Sequence, residues 1–133
     1  MWQGAGKRAE SALPYNPMLP KAYRLSRETD FRAVLKEHKG FREDGLFLKA
    51  KKKSGHSLRF GIVVGKNVSL RATKRNRFRR VVSEALQKKL LEIKEGYDAV
   101  LIALPKAELK SLAEAEAVLE KLLRKASLLK HNP

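Results

Sequence analysis

The sequence predicts a small α+β sandwich with the order helix, two or three strands, helix, strand, helix. Three observations lead there. A 3.6-residue apolar period runs through residues 72–95. Tyr97-Asp98-Ala99-Val100-Leu101-Ile102-Ala103-Leu104 is apolar at every position after its first two. Leu58-Arg59-Phe60-Gly61-Ile62-Val63-Val64 places Leu58, Phe60, Ile62 and Val64 on one face of a strand. A helix between two strands of one sheet makes a strand-helix-strand crossover.

The chain has 133 residues, enough for one domain. Residues 1–17 mix Gly, Pro and small residues without a period and read as a disordered tail, and residues 131–133 as another. A single folded domain is expected over 18–130. Pro20 to Leu25 reads as an extended arm. Ser26 is the expected N-cap of the first helix, with Glu28 and Asp30 suiting the helix dipole. Phe31, Val34, Leu35 and His38 share its face, and Gly40 stops it. Leu46 to Ala50 reads as a strand. The polar run 51–57 then predicts a hairpin into the 58–64 strand. Ser69 or Thr73 is expected to cap the helix from Ala72, and Gly96 to close it. Residues 97–104 read as a central strand covered on both faces, ended by Pro105. Ser111 and Glu114 form a capping-box pattern. Leu112, Ala115, Leu119, Leu122, Ala126 and Leu129 give the last helix.

Charge bounds the function. Thirty Lys and Arg against 14 acids leave a net charge of +16, a field that attracts polyanions. Residues 71–80 hold six of the cations, Arg71, Lys74, Arg75, Arg77, Arg79 and Arg80, and no acid. They fall on the first turns of a helix, where the dipole is already positive and each cation costs about 0.3–1 kcal/mol. An anion there reverses the sign. Arg offers a planar fork of donors to phosphate, and Asn76 can read a base or sugar edge. A charge run is ordinarily a solvated face; density, the unfavourable helix end and missing Glu partners favour nucleic acid here.

No cysteine is present, which excludes thiolate chemistry. The lone histidines His38, His56 and His131 have no ligand spacing around them, and no catalytic signature is found. Gly61 to Lys66 lacks the spacing of a phosphate-binding loop. No apolar run approaches a membrane span, and the N-terminus lacks the apolar core of a secretory signal, so a cytoplasmic protein is expected. Most of the aromatics are expected in the core, Phe78 among them; Phe31 and Phe47 are the first candidates for exposure. The residues alone describe an RNA- or DNA-binding module rather than an enzyme.

Arg75-Asn76-Arg77-Phe78-Arg79-Arg80 resembles the R-N-R motif of the bacterial ribonuclease P protein subunit. Met18-Leu19-Pro20-Lys21-Ala22-Tyr23-Arg24-Leu25, Asp30-Phe31 and Tyr97-Asp98-Ala99-Val100-Leu101-Ile102-Ala103 resemble three further segments of that family, in order. Leu35, Asn67 and Leu70 depart from residues frequent in relatives. The resemblance implies a four-stranded mixed sheet, a two-layer sandwich and a left-handed crossover pairing the 58–64 and 97–104 strands in parallel, against the general right-handed rule. It implies a noncatalytic subunit of an RNA-based endoribonuclease that removes the 5′ leader of precursor tRNA. Its partners would be the catalytic RNA, one protein per RNA, and precursor tRNA. Arg71, Lys74, Arg75, Asn76, Arg77, Arg79 and Arg80 would face the catalytic RNA; Phe31, Lys49 and Arg59 would hold the leader. No cofactor is expected on the protein itself, with Mg2+ acting through the RNA. A ribosome-associated or RNA-assembly protein without enzymatic role is the alternative; a membrane-surface protein is a third reading that the needs of the core disfavour.

Overall fold

Four strands form one mixed sheet in the order β1-β2-β4-β3: β1 Phe41–Glu43, β2 Leu46–Lys52, β3 Leu58–Val63 and β4 Tyr97–Ala103. Three helices accompany it, α1 Glu28–Leu35, α2 Ala72–Gln87 and α3 Leu112–Lys125. The computed structural model describes residues 19–105, 107–109 and 111–130; the tails expected at 1–17 and 131–133 lie outside the described residues.

β4 is central because both of its faces are apolar. It runs antiparallel to β2, from Leu46 opposite Ala103 to Lys52 opposite Tyr97. It runs parallel to β3, from Leu58 opposite Tyr97 to Val63 opposite Ile102, as expected for these two strands. The hairpin expected between β2 and β3 does not form, since β4 lies between them. Two strand spacings are about 10 Å, which the intervening residues cross easily. Gly96 seals the mouth of that connection: Lys53 N–H donates to Gly96 O at 2.7 Å and Gly96 N–H to Ser57 O at 2.7 Å. Gly96 has φ +87°, and a Cβ there would press on the Gly55 and Lys53 carbonyl oxygens. β1 pairs with β2 through an Asp44-Gly45 turn, Asp44 taking φ 48°. The expected arm at 20–25 instead forms a 3-10 turn, Lys21–Tyr23, followed by a parallel bridge from Arg24 to Phe60. Leu25 N–H donates to Phe60 O at 3.0 Å, which covers the outer edge of β3.

The two sheet faces carry different helices. Leu46, Leu48, Phe60, Ile62, Ala99 and Leu101 join Phe78, Val82, Ala85 and Leu86 of α2 and the apolar stripe of α3 in the main core. On the other face Phe31 and Val34 of α1 pack with Leu25, Val63 and Val100 in a second cluster. The sandwich is therefore α+β as expected, with α1 adding a partial layer beyond the main two.

Helix ends differ from the periodicity for identifiable reasons. α1 starts after Arg27, one residue beyond the expected Ser26, with no side-chain cap. It ends at Leu35, so His38 is exposed rather than on the helix. α2 ends at Gln87, not at Gly96, although Leu90 and Ile93 remain buried. Backbone pairing takes over there: Lys94 N–H donates to Leu128 O at 2.7 Å and Lys130 N–H to Glu92 O at 2.8 Å. α3 begins as expected, Ser111 Oγ accepting from Glu114 N–H at 3.1 Å. It stops at Lys125 because Ser127 takes φ 58° and Leu128 N–H turns back to Leu123 O at 2.9 Å. Lys89 Nζ to Glu120 at 2.9 Å ties α2 to α3.

Gly61 on β3 is where α1 makes its close approach. A Cβ at this position would overlap the Phe31 ring. Gly61→Ala is expected to lower stability by about 1–3 kcal/mol, the cost of overpacking a filled core, read as a fall in the urea midpoint at unchanged slope.

Candidate nucleic-acid interface

The buried stripe of α2 holds a basic surface at a fixed position. Phe78, Val82, Ala85 and Leu86 are buried, each large side chain stabilising the docked helix by roughly 1.5–3 kcal/mol. Arg71, Lys74, Asn76, Arg77 and Arg80 are exposed on the first turns, and Arg75 and Arg79 are half-buried beside the stripe. The first turn contains no acidic residue. Arg71 occupies the N-cap position, so neither Ser69 nor Thr73 caps the helix directly; Ser69 Oγ instead accepts from Arg71 N–H at 3.2 Å. The helix therefore presents its dipole and its cations together.

Two arginines are prearranged. Arg75 Nη1 donates to Ser69 O at 2.9 Å and braces the loop before the helix. Arg79 Nη1 donates to Asn76 Oδ1 at 2.9 Å. Burial, and then repulsion from Arg75, push the Arg79 guanidinium below its usual range. Its Nε is buried with no hydrogen-bond partner. Among the described residues, no ion pair involves any of the six cations of residues 71–80. A desolvated donor beside a like charge is costly until an anion arrives. Ser83, one turn on from Arg79, is buried and donates to Arg79 O at 2.7 Å.

The opposite sheet face holds the three residues expected at the leader. Phe31 is fully buried, so no base can stack on it; Gly61 leaves the space its ring fills. Arg59 is committed to carboxylates: Nε and Nη2 donate to the buried Asp98 at 3.0 and 2.8 Å, and Nη1 lies 3.4 Å from Asp30. The hydrogen bonds to Asp98 raise the Arg59 pKa against the opposing effect of burial. Lys53 Nζ approaches the same Asp98 at 3.5 Å. Lys49 Nζ donates to Leu35 O at 2.9 Å and so holds the C-terminal end of α1. Phe31 therefore belongs to the core, while Lys49 and Arg59 are half-buried and engaged within the protein.

Strand alternation puts Phe47, Lys49 and Lys51 on that face, opposite Ile102, Val100 and Asp98 of β4. Phe47 is half-buried, its ring covering Gly40, and Lys51 is half-buried. Lys51 was legible from the period of two along β2 and was missed because residues 51–57 read as a connection. Among the described residues, no three His, Cys, Asp or Glu side chains gather to hold a metal, and no helix is long and apolar enough to cross a membrane.

Two outcomes follow from this geometry. Asp98→Ala strips Arg59 of two hydrogen bonds, leaving it the longer contact to Asp30, and is expected to cost about 3 kcal/mol of stability by urea unfolding. Asn76→Ala frees Arg79 from its brace and is expected to weaken RNA binding by about 1 kcal/mol, with the thermal midpoint unchanged.

The family model described as Ribonuclease P matches residues 19–127. A ribonuclease P protein component of Synechocystis is 34% identical over 115 residues, covering 85% of this chain and 92% of the relative. The ribonuclease P protein of Staphylococcus aureus superposes with a TM-score of 0.73 at 23% identity, covering 83% of this chain and all of that one. The protein from Thermotoga maritima superposes at 0.68 with 28% identity, covering 77% and 96%. With its four-stranded mixed sheet, its cation-lined α2 and these matches, the chain belongs to the family of bacterial ribonuclease P protein components.

Proposed function

We propose that this chain acts as the RNA-binding protein subunit of ribonuclease P, the endoribonuclease that trims the 5′ leader of precursor tRNA. The observation that carries the reading is the cation set of α2, held by a buried stripe and left without carboxylate partners. Arg71, Lys74, Arg75, Asn76, Arg77, Arg79 and Arg80 bind the catalytic RNA. Their number and spacing suit a run of backbone phosphates, and Asn76 serves by orienting Arg79. The active site and its Mg2+ belong to the RNA, and the protein carries no catalytic group of its own. One protein binds one RNA, in the cytoplasm.

The leader of precursor tRNA lies beside α1 on the sheet face that carries Phe47, Lys49 and Lys51. Phe47 and Lys51 contact it, and Lys49 and Arg59 fasten α1 beside it, Lys49 through Leu35 O and Arg59 through Asp30 and the buried Asp98. The half-buried Phe47 supplies the apolar surface there that the buried Phe31 does not. A ribosome-associated role has no observation in its favour beyond net charge, whereas family membership supports the ribonuclease P subunit.

Salt dependence tests the RNA-binding surface. If about six phosphates are neutralised, the log–log slope on single-stranded RNA is about −4, from roughly −0.7 per contact. The Arg75→Ala, Arg79→Ala double variant is expected to bind more weakly with a slope shallower by about 1.4. An unchanged slope in that variant would remove α2 from the interface.

A further inference from the structure

Leu70 and Leu91 are the two large apolar side chains exposed among the described residues, at 84% and 82%. Their settings differ. Leu91 lies in the 3-10 turn after α2, at the far end of the helix from the cations. Leu70 immediately precedes the N-cap Arg71, within the cation cluster, with Lys66 and Lys74 close to it in the chain.

The loop that carries Leu70 is built rather than slack. Val64 is buried and Val68 packs on the main core. Val68 N–H donates to Gly65 O at 3.1 Å, Ser69 O accepts from Arg75, and Ser69 Oγ accepts from Arg71 N–H. Of the loop's three large apolar residues, two anchor it and the third is held out in water. The ordinary use of an apolar residue just before an N-cap is to pack on the fourth helical residue. That residue is Arg75, whose guanidinium is turned to the loop carbonyl, so Leu70 has no such partner. A single exposed leucine needs no explanation on most surfaces. Here it is fixed among cations that draw a polyanion onto it.

We propose that Leu70 is an apolar contact of this RNA interface, covered on binding by the face of a nucleotide whose flanking phosphates are taken by the neighbouring cations. The inference rests on the reading of α2 as the RNA-binding surface. RNA fits as the occupant because it combines phosphates spaced along a chain with apolar base and ribose faces between them. The contact would add affinity without releasing counterions, so its signature differs from that of the arginines.

The test is a titration of ribonuclease P RNA with full-length protein at several salt concentrations. Wild type, Leu70→Ala, Leu91→Ala and the Arg75→Ala, Arg79→Ala variant are compared. Leu70→Ala removes an exposed side chain and leaves the core intact, and circular dichroism checks its fold. The expected result is about tenfold weaker binding for Leu70→Ala at every salt concentration, giving a line parallel to wild type. Leu91→Ala should follow wild type. Wild-type affinity for Leu70→Ala, a shallower slope for it, or an equal loss for Leu91→Ala would overturn the proposal. An unchanged slope in the double arginine variant would instead mark failure of the α2 reading itself.

Discussion

Everything the basic surface does depends on the burial of Phe78, Val82, Ala85 and Leu86 beneath it. These side chains fix the rotation of α2 about its axis. That rotation decides that Arg75 and Arg79 lie half-buried at the edge of the stripe while Arg77 and Arg80 face solvent. The core thus holds in one place a set of like charges that would otherwise spread apart. The cost appears at Arg79, which burial and Arg75 both disfavour and whose Nε lacks a partner. A fold that tolerates this arrangement in the free protein is prepared for an anion, because the helix dipole, the exposed cations and the buried guanidinium all reward the same ligand.

The other side of the sheet shows the opposite treatment of charge. Arg59 and Lys53 surround the buried Asp98, and Asp30 of α1 completes the group. These ions are matched, which fastens α1 across β3 and β4. Lys49 adds a second fastening at the carbonyl end of α1. Unmatched cations on one side and matched ions on the other divide the molecule into an open basic surface and a braced sheet face. Such buried ion groups are more convincing as devices of alignment than as sources of stability.

What the sequence made legible follows from local periodicity. The central place of β4 was readable because Ala99 to Ile102 is apolar on both faces. The α2 stripe was readable because its period is unbroken, and the Ser111 cap because its pattern spans four residues. What was missed depends on residues far apart in the chain. The expected hairpin fails because β4, some forty residues later, enters between β2 and β3. Phe31 looked available until Gly61 proved to leave room for its ring. Arg59 looked free until Asp98, 39 residues away, claimed it. α2 stops early although Leu90 and Ile93 keep its phase, since the 92–94 backbone pairs with the chain after α3. The R-N-R cluster was legible without long-range information, because its charge pattern is contained within three turns of one helix.

As a ribonuclease P protein component, this chain is expected to support an RNA enzyme rather than to act alone. The most direct measurement is cleavage of precursor tRNA at low magnesium by a bacterial ribonuclease P RNA, with and without the protein. The protein is expected to stimulate cleavage, to yield the 5′ ends of mature tRNA, and to cut nothing alone. Tight binding of the RNA without any stimulation would contradict it.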